Sequence, residues 1–147
     1  MKKALEEAKK AYDKYEVPVG AVIVKDDKII ARAHNLREKN NTFFAHAEML
    51  CMLKACKKLN SWRLDGCEMY VTLEPCAMCA GAVTQSRIKK VYIGAKDEKN
   101  GCVGSISNMF NINTTHRVEY EYLENCEECS DIISEFFRYL RKNKQGK

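Results

Sequence analysis

Apolar residues recur at helical spacing over residues 3–15, where Ala4, Leu5, Ala8, Ala11, Tyr12 and Tyr15 sit among Lys and Glu. That period predicts a surface helix with one buried face. Pro18 blocks its continuation, since proline lacks the N–H a further turn would need. Val19-Gly20-Ala21-Val22-Ile23-Val24 and Ile29-Ile30-Ala31-Arg32-Ala33 are short β-rich runs separated by Asp26-Asp27, the pattern of a β-hairpin. From His34 to Phe44 no period survives, and Asn35, Asn40, Asn41 and Thr42 mark a loop. Met49, Leu50, Leu53 and Leu59 restore helical spacing, with Lys54, Lys57 and Lys58 near the end, where cations suit the helix dipole. His46 and Glu48 therefore fall in the first turn of this second helix.

Asp65-Gly66 reads as a turn, and residues 69–73 as a strand ending at Glu74-Pro75. Pro75 is expected to open the next helix, whose first turn would leave that N–H unpaired anyway, so that Cys76 and Cys79 share a helix face. A strand over 91–95 leads into a polar loop over 96–104 and a short helical segment around 106–110. Residues 117–123 alternate as a further strand. Ile132, Ile133, Phe136, Phe137 and Leu140 then stripe a final helix, which starts at Cys126-Glu127-Glu128-Cys129. The order predicts one α/β domain spanning 1–147, with helices on both faces of a mixed sheet.

Composition narrows the class. Apolar residues make up 46% and charged residues 31%, values of an ordinary globular domain rather than a disordered or membrane chain. No run approaches eighteen apolar residues, so no membrane span is expected, and the N-terminus lacks the apolar core of a signal peptide. Eight cysteines without an export signal point to a reducing, cytoplasmic setting and free thiols. The sequons at Asn40 and Asn113 are then expected to stay unmodified. A net charge of +5 permits a polyanionic partner. The cations concentrate at the end, in Arg138, Arg141, Lys142, Lys144 and Lys147, with a smaller group at Arg87, Lys89 and Lys90. The terminal run reads equally as a solvated helix end or as a surface for a nucleic-acid backbone.

Ala45-His46-Ala47-Glu48 and Pro75-Cys76-Ala77-Met78-Cys79 supply one imidazole, two thiols and a carboxylate, each group at the start of a helix. Three metal ligands with a fourth position left for water are the inventory of a catalytic zinc site, whereas a structural site would close the tetrahedron. Two thiolates cancel the ion's charge and blunt its effect on water, so a neighbouring base is needed. Glu48, two residues after His46 and not required as a ligand, is that base. A thiol nucleophile, Cys79 activated by His46, is the competing chemistry; it leaves Cys76 and Glu48 without a task. Cys126 and Cys129 lie too far along the chain from Cys76 and Cys79 for an ordinary zinc ribbon. Cys51, Cys56, Cys67 and Cys102 read as core thiols, and His34 and His116 as surface or supporting residues.

His-x-Glu with Pro-Cys-x-x-Cys resembles the zinc-dependent nucleobase deaminases. Glu16-Val17-Pro18-Val19-Gly20-Ala21-Val22, the stretch Tyr70 to Ala82, Ser86-Arg87-Ile88, Gly94-Ala95-Lys96-Asp97, Gly101-Cys102-Val103-Gly104-Ser105 and Glu135-Phe136-Phe137-Arg138 together resemble the bacterial tRNA-specific adenosine deaminases. The resemblance implies a three-layer α/β/α, cytidine deaminase-like domain around a central mixed five-stranded sheet. It implies a homodimer with one zinc ion per subunit that converts adenosine to inosine at the wobble position of a tRNA anticodon stem-loop. On the matching positions it implies His46, Cys76 and Cys79 as zinc ligands, Glu48 as the proton carrier, Asn35 as a contact to the target nucleoside, and Asp97 as a loop residue near the substrate's ribose or backbone.

The chain departs from this pattern just before the zinc motif, where Thr42-Phe43-Phe44 replaces the family's Asp-Pro-Thr. Phe43 and Phe44 are expected to pack in the core or at a dimer interface in preference to stacking on a base. Two other functions stay in view: a deaminase of free bases or nucleosides (guanine, cytosine or cytidine) on the same fold, and a non-catalytic zinc protein that binds RNA. The basic last helix weighs for the tRNA enzyme against the first. Glu48 weighs against the second, because a structural site has no use for a free carboxylate.

Overall fold

The computed structural model describes residues 1–112 and 115–145; Asn113 and Thr114 of the second sequon, and Lys147 of the basic run, lie outside the described residues. Helix α1 (Lys2–Asp13) precedes strands β1 (Gly20–Lys25) and β2 (Lys28–His34), followed by α2 (Ala47–Leu59), β3 (Glu68–Leu73), α3 (Ala77–Gln85), β4 (Lys90–Ala95), β5 (Glu119–Tyr122) and α4 (Glu127–Gln145). The strands form one sheet in the order β2-β1-β3-β4-β5. β1 pairs antiparallel with β2 and with β3, while β4 runs parallel to β3 and to β5. α1 packs against α4, and α2 against α3, so the two helix pairs form the outer layers of the expected three-layer mixed fold.

The β1–β2 hairpin turns on two residues only. Lys25 faces Lys28, and Asp26 and Asp27 both take positive φ, at 50° and 63°, the twist that suits a two-residue hairpin. Gly20 is required where α1 crosses β1, since a Cβ there would collide with the backbone of Ala4 and Ala8. α2 ends at Asn60 in the left-handed conformation, φ 51° and ψ 45°, which bends the last N–H groups back onto the helix carbonyls. Between the layers, Ile23, Met69, Val71, Val83, Ile88, Val91 and Ile93 are fully buried.

Four local expectations change. α1 stops at Asp13, and Tyr15, at φ 61°, is two-thirds exposed instead of extending the buried face. α3 begins at Ala77 with Cys76 as its N-cap, so Pro75 precedes the helix and does not open it. The segment after the polar loop is a single 3-10 turn, Met109–Asn111, held by the Asn108 side chain accepting from the Phe110 N–H. β5 is a short, largely exposed edge strand, with only Tyr122 turned against the core.

Candidate active site

The site lies at the carboxyl ends of β2, β3 and β4, the edge where an open α/β sheet leaves a crevice. β2 delivers Asn35, β3 delivers Glu74 to Cys76, and β4 delivers Asp97, while the loop after β2 leads to His46 at the start of α2. His46 and Cys76 are the N-caps of α2 and α3, both with extended backbone. Two helix N-termini thus converge on one point and favour anionic ligands there.

The His46 Nδ1 stands 3.7 Å from the Cys76 Sγ and 3.6 Å from the Cys79 Sγ. The three donor atoms all lie within 4.8 Å of one another, the one group of three or more metal-type donors among the described residues. An ion held tetrahedrally at ordinary Zn–S and Zn–N lengths places its nitrogen and sulfur ligands about 3.6 Å apart. The donor set therefore fits such an ion in both chemistry and spacing. The hydrogen bond from Cys79 outweighs burial and, with His46, pulls Cys76 down to about 4, while Cys79 is pushed up as the proton's holder.

Glu48 is 4% exposed and sits on the wall of the same cavity. Burial pushes its carboxyl up to about 7, against hydrogen bonds from its own N–H and from the Cys79 thiol. The cavity measures about 650 Å³, within the range of sites that enclose a small ligand. Asn35 and Asp97 line it too, so five of the six residues singled out in the sequence share the cavity wall, and Cys79, fully buried, reaches it through the His46 Nδ1 at 3.6 Å. Asn35 already donates to the Val17 carbonyl and accepts from the Arg37 N–H, which fixes its rotamer and leaves a further donor and acceptor position. Asp97 folds its own loop, its Oδ1 accepting from the N–H groups of Lys99 and Asn100.

Two buried carboxylates that the sequence did not single out hold the loops in place. Glu74 accepts from the N–H groups of Asp97, Val103 and Ser105 and from the Ser105 hydroxyl. Burial would raise this carboxyl, but those bonds together hold it below its usual value. Gly101 lies so close to it that a Cβ would collide with the carboxylate. Glu16, 1% exposed, accepts from the N–H groups of Glu38 at 3.0 Å and Lys39 at 2.8 Å. With the Leu36 N–H on the Ala45 carbonyl, this fixes the loop without the family's proline.

Phe43 and Phe44, expected in the core or at a dimer interface, are not in the core. Phe43 is 76% and Phe44 39% exposed, the two rings in edge contact with each other. α4 contributes Phe137, Arg138 and Arg141 to the cavity wall, so part of the basic run faces the site. Arg37 and Lys99, which carried no recognisable pattern, add two more cations there. His34 is tied to Glu7 at 2.9 Å and His116 to the Ile88 carbonyl, supporting roles away from the donors.

Known proteins resemble this arrangement from end to end. A family model described as MafB19-like deaminase matches residues 1–141. The tRNA-specific adenosine deaminase of Bacillus subtilis (strain 168) is 54% identical over 99% of this chain and 91% of its own. A solved structure from a study of A-to-I editing by tRNA:A34 deaminases at the wobble position of transfer RNA superposes with a TM-score of 0.85. It is 40% identical, over 90% of this chain and 96% of that one. The guanine deaminase of Bacillus subtilis superposes at 0.64 and is 32% identical, over 96% of this chain and 90% of its own.

Proposed function

Since the chain belongs to the MafB19-like deaminase family and is allied within it to tRNA-specific adenosine deaminases, we propose that it deaminates adenosine to inosine at the wobble position of a tRNA anticodon. The observation that carries the substrate is the end-to-end likeness, 54% to a tRNA-specific enzyme against 32% to a guanine deaminase. Cations on the cavity wall, Arg37, Lys99, Arg138 and Arg141, suit a phosphate-bearing substrate more than a free base.

The donor set supports zinc, one ion per subunit, held by the His46 Nδ1 and the sulfurs of Cys76 and Cys79. Its contribution when bound is Lewis-acid activation of the attacking water. The chain does the rest. Glu48 takes a proton from that water as oxygen adds to C6 of adenine, and returns it to the ring at N1. Glu48 then moves the remaining proton of the added hydroxyl to the 6-amino group, which leaves as ammonia while N1 keeps its hydrogen and the oxygen becomes the C6 carbonyl. Asn35, pinned by Val17 and Arg37, has donor and acceptor capacity left to hold the nucleoside in register, and Asp97 meets its ribose. Burial of the cavity floor excludes competing water.

The whole of 1–147 serves as one catalytic unit, in a homodimer; Leu53 and Trp62, 48% and 61% exposed, are apolar surface that a second subunit would cover. All eight cysteines are free, as a reducing cytoplasm would keep them. Among the described residues no helix is long and apolar enough to cross a membrane.

The test is mass analysis of products from an anticodon stem-loop, free adenosine, cytidine and guanine, using zinc-loaded protein. Inosine in the stem-loop alone is expected. Xanthine from guanine at comparable efficiency would move the function to the free-base enzymes. Glu48→Gln should lower turnover by roughly 10²-fold or more, as loss of a general acid–base does, with bound zinc unchanged; full activity in that variant would remove Glu48 from the mechanism.

A further inference from the structure

A second Cys-x-x-Cys, Cys126 and Cys129, lies at the start of α4, outside the cavity. Its spacing equals that of Cys76 and Cys79, but it belongs to no group of three metal-type donors among the described residues. The backbone is folded for a different chemistry. The Cys129 N–H donates to the Cys126 carbonyl at 3.0 Å and closes a turn between the two residues. Such a turn keeps the paired Cα atoms within about 7 Å, and a disulfide needs roughly 4.4–6.8 Å. Both sulfurs are free thiols.

Their exposures differ in the way a two-step exchange requires. Cys126 is only part-buried, whereas Cys129 is fully buried. The Cys129 sulfur rests on β4 at Gly94, where a Cβ would collide with it. One sulfur can meet an external reagent, and the other waits beneath it. We propose that Cys126 and Cys129 are a reversible dithiol–disulfide site that is oxidised by low-molecular-weight disulfides.

Two displacements complete the exchange. Cys126, as thiolate, attacks one sulfur of the external disulfide; that S–S bond breaks, and the departing thiolate takes up the proton Cys126 released. Cys129, as thiolate, then attacks the Cys126 sulfur, breaking the mixed disulfide and expelling the second external thiol, which takes the second proton. Two protein thiols lose two electrons, and one external disulfide becomes two thiols. Burial pushes the Cys129 thiol up to about 12, consistent with its acting second and only once a neighbouring disulfide is in place. The pair sits on the helix that walls the cavity, with Ile133 and Phe137 one and two turns further on.

Zinc-loaded protein is treated with hydroxyethyl disulfide, its remaining thiols are alkylated, and it is cleaved with trypsin. The fragment 118–138 contains Cys126 and Cys129 and no other cysteine. It should lose two hydrogens, carry no adduct, and regain both thiols on reduction. Cys129→Ser should trap the adduct on Cys126, and Cys126→Ser should leave Cys129 unmodified. A stable adduct on the unsubstituted fragment would overturn the proposal, as would a fragment still fully alkylated, or Cys126→Ser reacting as fast as Cys129→Ser. The reading of the unsubstituted protein needs neither variant to fold.

Discussion

Replacing Glu74 by Gln keeps the side chain's shape and removes its charge, at a position 3% exposed. In the native chain the carboxylate accepts from the Asp97 N–H at 3.1 Å, from the N–H groups of Val103 and Ser105 at 3.0 Å each, and from the Ser105 hydroxyl. A carboxamide oxygen can keep Val103 and Ser105, as neutral bonds worth about 1 kcal/mol less each. Its NH₂ group then faces the Asp97 N–H, leaving that donor unpaired at about 1–3 kcal/mol. The variant should lose about 3–5 kcal/mol, read from the midpoint of urea unfolding of zinc-loaded protein. The dependence on pH follows from the lowered carboxyl. Its contribution is complete above the usual value of 4.5 and disappears as pH falls through the lower folded value. The difference between native and variant protein should therefore be flat near neutrality and shrink in acid below that point. A loss under about 1 kcal/mol, or a difference that grows on acidification, would show that Glu74 does not staple the loop as a carboxylate.

Three further outcomes are expected. His46→Ala and Cys79→Ser should each lose stoichiometric metal by atomic absorption, and retention of a full equivalent in both would refute the donor set. Arg138→Glu and Arg141→Glu should weaken binding of an anticodon stem-loop and lower the log–log salt slope by about 1 for each phosphate no longer neutralised; an unchanged slope would place these cations outside the RNA path. Gly94→Ala should cost roughly 1–3 kcal/mol by overpacking against the Cys129 sulfur and the Thr72 carbonyl, and Cys129→Ala should relieve only the sulfur's share in the double variant, since the Thr72 carbonyl and the Cys129 Cβ stay in place, measured by urea unfolding.

Most of the fold was legible because its elements are encoded locally. The switch from helical to strand period at Pro18, and the two aspartates at 26 and 27, suffice for α1, β1, β2 and their turn. Helix starts were legible less securely: Pro75 signalled the right neighbourhood, but Cys76 takes the cap and Ala77 the first turn. The donors could be read because His-x-Glu and Cys-x-x-Cys each need only one helix start. The supports could not. Glu16 and Glu74 bond backbone groups 22 to 31 residues away, and a buried acid whose partners are distant N–H groups leaves no periodic trace. The two Cys-x-x-Cys pairs make the limit concrete. Their spacing is identical, and locally only Pro75 and the two residues between the cysteines set them apart. What separates them is where the fold brings an imidazole: His46 stands within 3.7 Å of both Cys76 and Cys79, while Cys129 rests on the bare backbone of Gly94. The same four-residue spacing therefore suits a metal in one place and thiol exchange in the other, and the tertiary position of His46 decides between them.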